Sequence, residues 1–321
     1  MPDFASPQSS TRLIQMAPPR EQRGVLAQWR FGLKPREEDH CTVDLPVFED
    51  CAEVWRPHGR LRYGKLGGAG FIADDELMMA DLKLSEYDFD DFSTTSEEAY
   101  RRLTDYARAS GYPFVLRVWN YFSRINEGDG DDERYRQFCS GRQRALERDW
   151  FDEDPAATVI GRPGQSSRLQ VIWLASKRPG RCLDNPRQVT PKRYPREYGI
   201  NPPRFSRAMY WEGARGELLL ISGTASLVGH ESVHDGDLAA QVAEIRRNID
   251  SLLIQAGDVR GRSIGYQTGA VFRVYVRDGD RLAEAAVLFR QNFPDQVQFL
   301  VVEGEVCRRE LMIEVEGVIQ L

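Results

Sequence analysis

The stretch that decides the fold is DLAAQVAEIRRNIDSLLIQAG at residues 237–257, followed by AVFRVYVRDG at residues 270–279. In the first segment, apolar residues recur with a 3-4-3-4 spacing that places them in one stripe of a helix. They are Val242, Ile245, Ile249, Leu252 and Ala256. The second segment is short and rich in β-branched and aromatic residues, and it predicts a strand. Around this pair, the sequence predicts two strands before the helix and a helix with two strands after it.

The same order of signals occurs earlier in the chain. Residues 61–75 predict two short strands around a Gly-Gly turn, and residues 96–111 predict a helix. Thr95 and Glu98 have the spacing of a capping box at its start, and Gly111 is a stop signal. ARASG followed by VLRVWNY in the first segment matches IQAG followed by VFRVYVR in the second. We infer an internal duplication of a β-β-α-β-α-β-β unit.

The duplication divides the chain into four parts. Residues 1–40 mix Pro, Gln, Ser and Arg without periodicity, and we expect a flexible N-terminal arm there. A first unit spans residues 41–178, a linker rich in Pro, Arg and Gly spans 179–203, and a second unit spans 204–321. The predicted fold class is α+β, with mixed sheets backed by helices.

Composition excludes several classes of protein. With 43 Lys+Arg against 49 Asp+Glu, the net charge is −6, whereas a duplex-binding protein usually carries a basic excess. We therefore expect no nucleic-acid partner. There is no run of 18 apolar residues and no secretory signal pattern, so we expect no membrane partner. Five cysteines at wide spacings, without a CxxC pair, predict reduced thiols and a cytoplasmic location.

Three boxes in the second unit resemble those of the reactive-intermediate deaminase family. They are Phe205-Ser206-Arg207-Ala208, Ser222-Gly223 and Ile313-Glu314-Val315-Glu316. The resemblance covers residues 204–321 and implies a small fold of chorismate-mutase-like topology. Because the first unit repeats the order of elements, the chain is expected to hold two tandem deaminase-like domains.

Further boxes resemble the chorismatase family over residues 45–321. They are Trp119-Asn120-Tyr121, Phe138-Cys139-Ser140-Gly141-Arg142, and Gly223-Thr224-Ala225-Ser226 with Gly229-His230-Glu231-Ser232. The resemblance implies an enzyme of secondary metabolism, such as antibiotic biosynthesis, that releases pyruvate from chorismate. This substrate is a cyclohexadiene with a ring carboxylate, a hydroxyl and an enolpyruvyl ether that bears a second carboxylate.

A substrate with two carboxylates needs cationic partners, and Arg supplies them best through bidentate hydrogen bonds. Arginines are concentrated around the linker and the first strand of the second unit, and another lies in the FCSGR box. The predicted substrate-binding residues are Arg142, Tyr194, Arg196, Arg204, Arg207 and Gly223. The alternative is a solvated run of charge at a domain junction.

The final strand carries Glu314 and Glu316, whose spacing of two directs both side chains to one face. Burial, a neighbouring carboxylate and a dianionic substrate would raise the pKa of one of them from about 4.3 towards neutrality. Such a group suits general acid catalysis, here protonation of the enolpyruvyl methylene. The chorismatase resemblance implies Glu314, seven residues after Cys307, whereas the single-domain deaminases imply Glu316. A merely solvated strand face is the alternative.

Gly223 and Cys307 together resemble the chorismatases that form 3-hydroxybenzoate. The resemblance implies that the substrate's own hydroxyl captures the oxocarbenium ion, that pyruvate leaves, and that an epoxide-like intermediate opens to the phenol. Glycine at position 223 would leave room for the ring. Taken alone, a single Cys before a strand is usually a small hydrophobe.

No metal or other cofactor is predicted. His230 and His234 flank a Glu in HESVH, but they lie between a strand and a helix N-terminus, where no metal-binding helix face is expected. No dinucleotide-binding GxGxxG or phosphate-binding GxxxxGK[ST] pattern occurs.

Three functional hypotheses remain open at the level of sequence. The first is a cofactor-free enzyme that converts chorismate to 3-hydroxybenzoate and pyruvate. The second keeps the fold but adds water, giving a dihydroxy-cyclohexadiene carboxylate. The third is a carboxylate-binding module without catalysis, because a shared fold does not fix a function.

Overall fold

In the computed structural model of the chain, the described residues are 13–17, 24–32, 41–149, 153–266 and 269–321. Four short strands come first, and they form a sheet in the order β1-β4-β2-β3 that we call the N-terminal sheet. Its strands are β1 (Ile14–Ala17), β2 (Ala27–Phe31), β3 (Thr42–Val43) and β4 (Ala52–Trp55).

The N-terminal sheet corrects the prediction of a flexible arm over residues 1–40. Trp29 of β2 and Trp55 of β4 are fully buried, and they join the apolar cluster that fills the space between the larger sheets. Segments of four or five residues are too short to show periodicity, and their apolar side chains are covered by distant parts of the chain. The rest of the predicted arm (residues 1–12, 18–23 and 33–40) lies outside the described residues.

Each of the two units has the predicted order of elements, with one extra strand at an edge of each sheet. The first unit contains β5 (Arg62–Leu66), β6 (Ala69–Ala73), β7 (Leu77–Ser85), α1 (Phe92–Ser110), β8 (Phe114–Ser123), α2 (Arg134–Asp149), β9 (Ala156–Arg162) and β10 (Arg168–Ser176). The second unit contains β11 (Arg181–Leu183), β12 (Ala208–Gly213), β13 (Gly216–Thr224), α3 (Leu238–Arg260), β16 (Ala270–Val276), α4 (Leu282–Asn292), β17 (Gln298–Glu303) and β18 (Ile313–Gln320). A small hairpin, β14 (Leu227–Val228) and β15 (Glu231–Ser232), follows β13.

The two six-stranded sheets have the same topology. Their orders are β5-β6-β7-β10-β8-β9 and β11-β12-β13-β18-β16-β17. In each sheet the last pair, β8 with β9 and β16 with β17, is parallel, whereas the other pairs are antiparallel. The predicted α+β class with a repeated β-β-α-β-α-β-β order is confirmed.

The molecule is layered with the two sheets inside and the helices outside. On β8, Trp119 and Tyr121 belong to the cluster shared by both sheets and the N-terminal sheet, whereas Val118 and Phe122 pack under the first unit's helices. The same alternation of faces occurs along the strands of the second unit, because successive side chains of a strand point to opposite sides. A polar side chain on an inner face is therefore enclosed between two sheets.

The predicted linker at residues 179–203 is partly a sheet edge. Its segment β11 pairs antiparallel with β12, Cys182 opposite Met209, so that this part continues the second sheet. Two short 3₁₀ turns follow, Pro191–Arg193 and Arg196–Tyr198. We keep the division into two domains at this segment as a proposal.

The helix ends follow capping chemistry. The helix α1 starts at Phe92 because the Asp91 side chain accepts a hydrogen bond from Thr94 N at 2.6 Å. The predicted capping box at Thr95 is wrong, since Thr95 lies inside the helix and donates its hydroxyl to Asp91 O at 3.0 Å. Gly111, with φ of 80°, ends the helix as predicted.

Candidate active site

A cavity of about 480 Å³ opens between the two units. Its walls come from the start of β9 in the first unit, from Tyr194 and Tyr198 in the linker, and from β13 and β18 in the second unit. Six predicted site residues line it: Arg142, Tyr194, Arg207, Gly223, Cys307 and Glu314. The chain therefore brings together predicted site residues up to 172 positions apart in one cavity.

The strand β18 directs both predicted carboxylates inward. Ile313 and Val315 pack in the core under α3 and α4, whereas Glu314 and Glu316 occupy the opposite face, towards the first unit. Both are buried, at 5% and 2% exposure. The alternative of a solvated outer face is therefore wrong.

Glu316 is held as a carboxylate by four donors. It pairs with Arg117 of β8 and accepts hydrogen bonds from Thr158 Oγ1 at 2.6 Å and Tyr275 OH at 2.5 Å. The guanidinium of Arg273 lies 3.3 Å away. Burial raises the pKa of Glu316, but the two arginines and the two hydroxyl groups outweigh that effect and hold its pKa below the ordinary value.

The surroundings of Glu314, two residues earlier, shift its pKa in the opposite direction. Burial and, after it, the charge of Glu316 raise its pKa from the ordinary value to about 8, although Arg117 and Arg277 lower it. The carboxyl group consequently keeps its proton at neutral pH while facing the cavity. A protonated carboxyl group whose pKa lies near the working pH is what general acid catalysis requires.

Gly223 leaves the approach to Glu314 open. A Cβ atom at position 223 would overlap the carboxylate of Glu314 and would lie 3.3 Å from Thr158 Oγ1. The backbone N of Gly223 also donates to Thr158 Oγ1 at 3.0 Å, at the point where the pairing of β13 with β18 shifts register. Any side chain at this position would therefore displace the carboxyl group.

Two buried arginines line the cavity, and neither has an acidic partner within the described ranges. Arg207 donates to Val189 O at 2.7 Å and to Tyr194 OH at 2.8 Å, and its buried Nε makes no hydrogen bond. Arg142 is 2% exposed and is held over the rings of Tyr100 and Phe138. A buried cation that lacks a counter-charge favours an anionic ligand.

Cys307 lies at the cavity wall as a neutral thiol. Burial, followed by the charge of Glu314, raises its pKa to about 12. Its backbone carbonyl accepts a hydrogen bond from Asn126 Nδ2 of the first unit at 2.9 Å. The thiol therefore contributes shape and a weakly polar surface to the cavity, and not a nucleophile.

Two predicted substrate-binding arginines do not reach the cavity. Arg196 is largely exposed and pairs with Asp131 at 2.6 Å, and Arg204 pairs with Asp154 at 3.1 Å. Their acidic partners neutralise them in this geometry, so the structure does not support the expectation that they hold substrate carboxylates, which stays a prediction. Sequence proximity to Arg207 suggested them, although side chains at neighbouring positions point in different directions.

Several residues at the site were not predicted. Arg308 donates to His230 O at 2.8 Å, and its guanidinium lies 4.0 Å from the ring centroid of Tyr198 at the cavity wall. Arg117 and Arg273, which flank Glu316, occupy equal positions in the repeated VLRVWNY and VFRVYVR segments. That shared arginine in two otherwise apolar strands was the signal that could have revealed them.

The two histidines of HESVH have separate partners. His230 Nδ1 lies 3.3 Å from Tyr198 OH, and His234 Nε2 lies 3.6 Å from Glu244. Within the described residues, no group of three or more His, Cys, Asp or Glu side chains is arranged to hold a metal ion. None of the described helices combines the length and apolarity that crossing a membrane requires.

Comparison with known proteins agrees with this geometry. A family model described as chorismatase FkbO/Hyg5-like, N-terminal, matches residues 53–175. A 3-hydroxybenzoate synthase of Streptomyces hygroscopicus is 33% identical over 85% of this chain and 83% of its own. A chorismatase of Streptomyces rapamycinicus is 32% identical over 89% and 86% of the two chains.

Among solved structures, a chorismatase crystal structure superposes with a TM-score of 0.82 at 25% identity, covering 95% of this chain and 97% of that one. The similarity thus extends over the N-terminal sheet and both units. The chain belongs to the chorismatase family.

Proposed function

We propose that this enzyme converts chorismate to 3-hydroxybenzoate and pyruvate, with Glu314 as the proton donor. The observation that carries the proposal is one cavity that holds a protonated carboxyl group beside two buried arginines without acidic partners. The names of the relatives, chorismatase and 3-hydroxybenzoate synthase, support the same reaction.

The two arginines would bind the two carboxylates of the substrate. Arg207 offers an unused Nε beside Tyr194, and Arg142 offers a cation fixed by aromatic rings on the first unit's side. Charge-assisted hydrogen bonds from guanidinium to carboxylate are strong and directional, and they fix the ring relative to the acid.

The reaction then starts at Glu314. Its proton adds to the terminal methylene carbon of the enolpyruvyl group, and the π-electron pair of that double bond forms the new C–H bond. The resulting oxocarbenium ion makes pyruvate a good leaving group, because the ring C–O electron pair becomes part of the pyruvate carbonyl. Acid catalysis of this kind is typically worth about 10²–10⁴-fold.

The ring hydroxyl next to the carbon that carries the enolpyruvyl ether then replaces pyruvate. Its oxygen bonds to the ring carbon that pyruvate leaves, and its proton returns to the carboxylate of Glu314. The epoxide so formed opens with loss of a ring proton and protonation of its oxygen, giving the phenol. No atom is gained or lost overall, and the small residue Gly223 leaves room for the ring beside Glu314.

We also propose a cytoplasmic enzyme without a nucleic-acid or membrane partner. A net charge of −6 disfavours phosphate backbones and anionic lipid surfaces. All five cysteines are free thiols, as is usual in a reducing compartment.

The test is incubation of the purified protein with chorismate alone, followed by mass spectrometry of the products. We expect pyruvate and 3-hydroxybenzoate in equal amounts, and pyruvate release slower by about 10²-fold or more with Glu314→Gln. A diene acid heavier than 3-hydroxybenzoate by one water would establish the hydrolytic reaction instead. A ligand-induced rise in Tm without pyruvate would identify a binding module.

A further inference from the structure

The N-terminal sheet brings one more carboxylate into the charge network of the site. Glu53 of β4 is 2% exposed, and its two oxygens accept hydrogen bonds from Nε and Nη2 of Arg273, each at 2.8 Å. Its Oε1 also accepts a bond from Trp55 Nε1 at 2.6 Å. A two-bond pair of this kind fixes both partners in one orientation.

Arg273 connects this pair to the candidate active site. Its Nη1 lies 3.3 Å from Glu316, and its guanidinium lies 3.8 Å from the ring centroid of Trp29 on β2. The N-terminal sheet therefore holds Arg273 from two sides, through a carboxylate and through an aromatic face.

We propose that Glu53 is a positioning residue for the proton donor: through Arg273 and Glu316, it adds negative charge to the buried network next to Glu314 and so favours the protonated form of that group. The inference rests on the proposed function, in which Glu314 is the acid. It assigns a role in tuning the proton donor to β4 of the N-terminal sheet, which lies outside both repeated units.

The balance follows from counting the buried charges. Glu53 and Glu316 are negative and Arg117 and Arg273 are positive, so these four sum to zero when Glu314 is protonated. Loss of the Glu314 proton would give these five residues one net negative charge in a buried site, and Arg277 offsets this unfavourable state only in part.

Other titratable groups face the network, and none of them changes its charge when Glu53 is replaced. Tyr121 and Tyr275 lie beside Glu316 as neutral phenols, because burial raises their pKa values. Cys307 is a neutral thiol. Arg277, directly after β16, is a further cation that lowers the pKa of Glu314. It donates to the carbonyl groups of 306, 308 and 311 and to Asn126, and its charge is the same in the wild type and in a Glu53 variant.

Replacing Glu53 by glutamine keeps its shape and removes its charge. The network would then carry one net positive charge, which favours the ionised form of Glu314. An acid catalyst is active only below its pKa, so activity should fall at a lower pH than in the wild type.

The experiment is the pH dependence of kcat for pyruvate release in the full-length protein. In Glu53→Gln, we expect the high-pH loss of activity to move down by about one pH unit or more, with the low-pH plateau within about threefold of wild type. The matched control is Glu49→Gln, an exposed carboxylate on the neighbouring loop, which should leave the profile in place.

A double variant distinguishes an effect of the charge of Glu53 from an effect of its contacts on the fold. Glu53→Gln with Arg273→Gln removes both members of the pair, avoids an unpaired buried arginine, and should return the high-pH limb towards its wild-type position. A purely structural role predicts that the double variant is worse than the single one. If Glu53→Gln loses activity at the same high pH as the wild type, and only its kcat or Tm is lower, the proposal is overturned.

A titration that does not depend on turnover distinguishes this inference from the proposed function. Carboxyl ¹³C NMR of Glu314, assigned with Glu314→Gln, should show its midpoint at lower pH in Glu53→Gln. If the wild type releases no pyruvate, the proposed function fails, and the midpoint still decides the role of Glu53. An identical midpoint in wild type and variant would contradict it.

Discussion

Glu314 and Glu316 lie on the same face of one strand and yet differ in their protonation. Glu316 is surrounded by donors, two of which, Arg117 and Thr158, come from the first unit, whereas Glu314 faces the cavity. The sequence could predict the shared face from a spacing of two. It could not predict which residue is the acid, because the deciding contacts join residues about 160 to 200 positions apart.

Substrate binding is tested at a single arginine. Arg207→Ala should raise the KM for chorismate by about 30-fold or more, because a buried substrate carboxylate would lose its charged partner, worth about 2–5 kcal/mol. Steady-state kinetics of pyruvate release measure this effect. Arg204→Ala is the matched control: Arg204 already pairs with Asp154, so its KM should stay near the wild-type value.

The opposite result would assign substrate binding to Arg204 and not to Arg207. If Arg207→Ala leaves KM unchanged while Arg204→Ala raises it, the substrate carboxylate lies outside the cavity described above. Circular dichroism of both variants checks that the fold is retained.

At the scale of secondary-structure elements, local sequence signals were sufficient to predict a helix that buries one periodic stripe of apolar residues. The five predicted apolar positions of α3 are all buried. The start of α1 was misplaced because a single aspartate, Asp91, caps it one turn before the predicted box. The strands β1 to β4 escaped prediction because their burial depends on two sheets that form elsewhere in the chain.

The register shift between β13 and β18 at Gly223 leads to a prediction about this strand pair. Gly223→Ala should lower kcat by about tenfold or more, because the added Cβ would overlap the Glu314 carboxylate. Product analysis by chromatography would show whether the remaining turnover still gives 3-hydroxybenzoate. A kcat within twofold of wild type would mean that the carboxyl group can move aside without loss, and that Gly223 is not required.

At the scale of the whole molecule, the site belongs to no single unit. The acid comes from the second unit, Arg142 and two of the four partners of Glu316 come from the first, and Glu53 comes from the N-terminal sheet. The duplication was readable from the sequence, since both copies keep the same order of elements. The joining of the copies face to face was not, because it depends on which inner-face side chains fit together.

Turnover by the whole protein should be unaffected by a chelator. The chemistry proposed above uses a carboxyl group and arginines throughout. We therefore expect the rate of pyruvate release after EDTA treatment and desalting to stay within twofold of the untreated rate. Loss of activity that zinc restores would direct attention to His230 and His234 instead.

The pH dependence of stability provides a control for the central test. The raised pKa of Glu314 means that its proton stabilises the fold fully below its unfolded value of about 4.3, and that this contribution is lost as pH rises through about 8. Glutamine does not titrate, so the Tm of Glu314→Gln should equal or exceed that of the wild type above pH 8. A lower Tm there would mean that the carboxyl group is structural.

The rate of pyruvate release from chorismate by Glu314→Gln tests the central claim most directly. The amide preserves shape and hydrogen bonding but cannot deliver a proton to carbon. We predict a loss of about 10²-fold or more in kcat, with chorismate still bound and the fold intact. A loss of less than tenfold would contradict the account, because the proton must then come from another group.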